Sequence, residues 1–129
     1  MFEQDYVMRL IHEVVRALLK LLFNIDTEKK DDIIFNEKAM KDQYDILLDL
    51  IDSGKINDAE NKLYSDLDSS DPQYYILALM FYSYLNEKDI DFLEEHDFSK
   101  KEIIEGLKDV STIYGHGSIA GTMLNILTE

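Results

Sequence analysis

Asp71-Pro72-Gln73-Tyr74-Tyr75-Ile76-Leu77-Ala78-Leu79-Met80-Phe81-Tyr82-Ser83-Tyr84-Leu85 decides the fold. Asp71 suits a helix N-cap, where a carboxylate accepts hydrogen bonds from backbone N–H groups that the helix leaves orphaned. Pro72 suits the first helical position, because its ring presets φ and it has no N–H to lose there. No strongly polar side chain then appears until Asn86. A helix apolar on every face is buried on every face. The segment is therefore expected at the centre of an all-α, single-domain protein, with other helices around it.

The composition agrees. A length of 129 residues fits one domain with a core. Apolar residues at 46% and aromatics at 11% exclude a disordered chain. Five glycines and one proline are too few for a sheet-rich protein with many tight turns. The absence of cysteine excludes disulfides and Cys-based metal sites and favours a cytoplasmic location. The N-terminus has no basic region ahead of its apolar residues, so no secretory signal is expected. Tyr74 to Leu85 falls short of the ~18–20 apolar residues of a membrane span.

The formal charge is −14, and its distribution is uneven. Residues 1–24 hold three basic and three acidic groups, whereas residues 25–129 hold ten basic and twenty-four acidic. Such a surface repels a phosphate backbone, which argues against nucleic-acid binding. It serves solubility, or meets a basic partner.

Outward from the central run, Asp5 to Ile25 reads as one long helix. Val7, Ile11, Val14, Leu18, Leu21 and Ile25 form a heptad seam. Met8, Val15 and Leu22 flank it on one side, Leu10 and Ala17 on the other. The apolar arc of roughly 200° exceeds what one core contact usually covers. Arg9, Glu13, Arg16 and Lys20 form a narrow polar back. A short turn is expected over Lys29–Phe35. Asn36 is expected to cap a second helix running to about Ser53 and stopped by Gly54. A third helix from Ile56 or Asn57 turns Ala59, Leu63 and Leu67 inward. A short helix at Ile90–Glu94 comes next. Ser99 and Glu102 form a capping box for a helix from Lys100 to about Tyr114, with Ile113 among its inward residues. Ser118 is expected to cap a last helix bearing Ile119, Met123, Leu124 and Leu127.

Two resemblances follow. Met1-Phe-Glu-Gln-Asp-Tyr-Val-Met-Arg, Ile11 and Val15-Arg16-Ala17 resemble the start of an uncharacterised family of short bacterial proteins, mostly of Gram-positive anaerobes. The resemblance implies a cytosolic helical protein and brings no activity, cofactor or catalytic residue. Gln43 to Pro72 resembles a tetratricopeptide repeat through Leu47 and Leu50, Gly54 at the turn, Ala59, Leu63 and the closing Pro72. The usual Trp and Gly of the first repeat helix are missing. The implied fold is a helical array with a tetratricopeptide-like middle and the N-terminal helix packed on it.

Candidate chemistry is sparse. Gly115-His116-Gly117-Ser118 lacks the lysine and glycine spacing of a phosphate loop and reads as a helix–helix joint. Glu94-Glu95-His96-Asp97 holds metal-ligand atoms, but four consecutive residues cannot converge on one ion from a helix. His12-Glu13 lacks the second histidine of a zinc-protease pair. No catalytic, cofactor-binding or metal-ligating residue is expected, and no cofactor. The expected role is a non-enzymatic interaction or adaptor module. The alternative is a small-ligand binder or enzyme with a pocket among Tyr74, Tyr75, Tyr82 and Tyr84. A homodimer is expected through Met8, Val15, Leu19, Leu22 and Phe23 of the first helix, which a monomer would leave as one apolar patch.

Overall fold

The apolar run folds as a helix, Pro72–Asn86, and the Asp71 carboxylate accepts a 3.0 Å hydrogen bond from the Gln73 N–H. The computed structural model describes residues 2–27, 35 and 37–125. Among them lie seven helices and no strand: α1 (Phe2–Phe23), α2 (Lys38–Asp52), α3 (Ile56–Asp66), α4 (Pro72–Asn86), α5 (Ile90–Glu95), α6 (Lys100–Ile113) and α7 (Gly117–Asn125). α4 is the centre. Its residues Tyr75, Leu77, Ala78, Leu79, Phe81, Tyr82 and Leu85 are each at most 1% exposed. α1, α2 and α6 all pack on it, and α1 also touches α6. α7 closes against both α6 and α1, while α3 pairs with α2 as a hairpin.

The turns follow from local chemistry. Gly54 takes a φ of +84°, its N–H bonds to the Ile51 carbonyl and the Lys55 N–H bonds to the Leu50 carbonyl. This is a Schellman stop, as expected of glycine. Gly115, at φ +82°, repeats the pattern with Thr112 and Ser111. Asp97, at φ +58°, repeats it with Glu94 and Leu93. No glycine marks that third turn, so the sequence gives no sign of it. At the start of α6, Ser99 Oγ accepts from the Glu102 N–H at 3.3 Å. That is half of the expected capping box. The Glu102 carboxylate takes the Ser99 hydroxyl instead of reaching back to the backbone.

Several boundaries and orientations differ from expectation. α2 begins at Lys38 after Glu37, and both Asn36 and most of the expected 29–35 turn lie outside the described residues. Phe35 is described, and its ring packs on Tyr44 at 5.3 Å. α7 starts at Gly117, which places Ser118 inside the helix rather than before it. Leu127 lies outside the described residues. Ile113, expected to face inward, and Ile119, one of the apolar residues of the last helix, are each 43% exposed. Both sit where α6 meets α7, and the inward positions there are taken by Val110, Ala120 and Leu124, all at 0%.

Candidate interaction surface

α1 presents two faces. Ile11, Val14, Val15, Leu18 and Leu19 are buried in the chain's own core, with Leu18 and Leu19 at 0% exposure. Leu22 and Phe23 are half-buried against that core, and the Phe23 ring meets Tyr75 edge-on at 5.7 Å. Met8 is half-buried and lines a cleft with Asn86. The five residues expected at an interface are thus not one surface patch, and Val15 and Leu19 offer almost no exposed area.

The reason is geometric. A straight helix at 3.6 residues per turn drifts ~20° per heptad against a 3.5-residue seam. The seam stays in the core at Ile11, Val14 and Leu18, and the drift carries its edge outward at Leu21, which is 68% exposed. The column Met8, Val15, Leu22 lies on the core side of the seam, with Val15 3% exposed and the other two half-buried. The other flank, Leu10 and Ala17, is left outward. With Tyr6 at 49% exposure and Leu21 at 68%, it forms a stripe within ~60° of the helix circumference. Arg9, Glu13, Arg16 and Lys20 border this stripe, and Arg16 pairs with Glu13 at 2.9 Å.

Two clefts border this face and share Glu13, the first reaching across Arg9 to Met8 and His12. One, of about 590 Å³, is lined by Tyr6, Leu10, Glu13 and, from the end of α4, Asn86 and Glu87. The other, of about 400 Å³, is lined by Ala17, Lys20, Leu21 and Ile25.

Behind the first cleft lies a polar strut that sequence reading missed. Asn86 is 2% exposed; its Nδ2 donates to the Met8 carbonyl at 2.9 Å, and its Oδ1 accepts from Lys100 Nζ at 2.9 Å. Lys100 also donates to the Asn86 carbonyl. One asparagine thereby ties α1, α4 and α6. Burial pushes the Lys100 ammonium down to about 8. The only hint in sequence was an amide closing a wholly apolar run.

The tyrosines are committed to their own chain. Tyr75 donates to Ser111 at 2.7 Å, Tyr82 to Glu60 at 2.6 Å and Tyr84 to Asp52 at 2.7 Å, while Tyr74 accepts from Gln43 at 3.2 Å. Burial raises the Tyr82 hydroxyl far above its ordinary value and also raises the Glu60 carboxyl. Tyr75 stacks in parallel on Tyr114 at 4.9 Å and on His116 at 5.8 Å. The Gly115–Ser118 stretch thus includes a ring that serves packing. His12 is exposed on α1. His96 packs under the α2–α3 turn, and a Cβ on Gly54 would lie 2.3 Å from its Nε2. Among the described residues, no three His, Asp or Glu side chains are grouped so as to hold a metal ion, and no helix is long and apolar enough to cross a membrane.

A family of unknown function (DUF6483) matches residues 1–115. The chain belongs to this family. Membership extends the N-terminal resemblance through α6, and the family description carries no activity. No curated protein and no solved structure matches the chain.

Proposed function

We propose that this DUF6483 chain is a non-enzymatic, cytoplasmic protein-interaction module that self-associates through α1. The observation that carries the reading is the pairing of charge and apolarity on one helix. The chain carries −14, yet α1 is charge-balanced through Asn24 and bears the exposed Tyr6 and Leu21. A strongly acidic surface keeps copies apart wherever it faces them. Only a neutral, partly apolar face lets them meet.

The α2–α3 hairpin followed by α4 supports a tetratricopeptide-like kinship. Gly54 turns the hairpin, the small Ala59 is 0% exposed, and α4 packs on α2. In such an array the helices are scaffolding for a surface, which fits an adaptor better than a catalyst. A ligand pocket among the tyrosines has less support, because their hydroxyls are already engaged within the chain. Light scattering tests the reading. A mass twice that of the 15.1 kDa chain is expected at ~100 μM, and a single-chain mass there would refute self-association.

A further inference from the structure

We propose that a second copy of this chain docks antiparallel on the outer face of α1, with Tyr6 of each copy against Leu21 of the other and Leu10 against Ala17. The inference rests on the self-association proposed above and adds its surface and direction.

The stripe is self-complementary in only this sense. Tyr6 with Leu21, and Leu10 with Ala17, are both centred on the point between Glu13 and Val14. One two-fold axis through that point satisfies both pairs, and an isologous interface requires such a centre. Leu10 then meets a small residue, not another leucine. The clefts agree. Leu21, the most exposed large apolar side chain among the described residues, is brought over the cleft lined by Tyr6 and Leu10. Tyr6 is brought over the cleft lined by Ala17 and Leu21.

Charge also favours this direction. A parallel pairing sets Arg9, Arg16 and Lys20 each beside its own duplicate. The antiparallel one moves Lys20 to the end of the helix where Glu87 lines the first cleft. It also gathers the two Glu13–Arg16 pairs around the axis with alternating sign. Acidic surfaces of the −14 chains repel where they meet, which favours contact at a charge-balanced face such as that of α1. Area sets the strength. Residues 6–21 span ~22 Å of helix, a seam smaller than the ~800 Å² per partner of a standard interface even with the clefts filled. Micromolar rather than nanomolar association is expected.

The chain has no cysteine, so single cysteines report the direction cleanly. Glu13→Cys lies at the axis and is expected to form an interchain disulfide under mild oxidation. Lys20→Cys is expected not to, because antiparallel copies hold those residues ~20 Å apart, far beyond the ~6 Å Cα separation a disulfide tolerates. Leu21→Glu is expected to weaken the dimer at least tenfold with helical circular dichroism unchanged. A parallel dimer would cross-link both cysteine variants, and a dimer built elsewhere would cross-link neither. Either result overturns the geometry while leaving self-association standing. A wild type that is monomeric by light scattering at ~100 μM would remove both.

Discussion

Gly106 shows how one missing atom is fixed by a distant side chain. It sits inside α6, where alanine would ordinarily favour the helix by ~1 kcal/mol. A Cβ there would fall 2.2 Å from Cζ of Tyr82. The Tyr82 ring is 0% exposed and its hydroxyl is held by Glu60, so it has nowhere to swing. Overpacking therefore outweighs propensity, and Gly106→Ala is expected to lose about 1–3 kcal/mol in urea titration. A gain in stability would show that the ring yields. Lys100 makes a second prediction at this scale. Its ammonium lies at about 8 when folded against an ordinary 10.5. Below about 8 it is charged in both folded and unfolded chains. Between the two values the unfolded chain holds more protons, so its contribution to stability rises with pH across that window. Wild type should gain on Lys100→Gln between about pH 7.5 and pH 10 in parallel denaturant titrations. Tyr44 and Tyr114, both pushed up to about 12, act in the opposite sense but are present in both proteins and cancel. A gap that stays constant with pH would place Lys100 in water.

At the scale of the element, α4 carries the fold and was the most legible part of the chain. Capping by Asp71, Pro72 at the first turn and an unbroken apolar run all act locally, and all appear in the structure. Phe81 is 0% exposed within it. Phe81→Ala is expected to cost about 3–5 kcal/mol, because a rigid core cannot refill the space of a ring. A loss below about 1 kcal/mol would mean that α4 is not the centre. α1 was legible as a helix but not in its orientation. Its apolar residues cover so much of the circumference that either flank could face the core. The choice was made by rotation against α4, α6 and α7, which no local signal encodes. The same holds for the buried Asn86–Lys100 strut, whose partners are 14 residues apart on different helices. The turn at Asp97 was hidden because a left-handed aspartate looks like any acidic loop residue.

For the whole molecule, electrostatics excludes more than it assigns. The acidic excess lies entirely beyond residue 24, and the charge-balanced α1 still carries Glu13 among its basic groups. Duplex DNA is expected to show no gel shift with ~10 μM protein at physiological salt, and a shift that fades with added salt would contradict this. The arrangement of helices also sets an order of events. The α2–α3 hairpin joins neighbours in sequence and can pair as soon as both are made. α1 cannot, because its buried face rests on α4, α6 and α7, the last of which lies roughly a hundred residues downstream. α1 thus leaves the ribosome well before the helices that cover it. During synthesis its apolar side stays open to chaperones, or to a neighbouring nascent chain, until α7 arrives to close it.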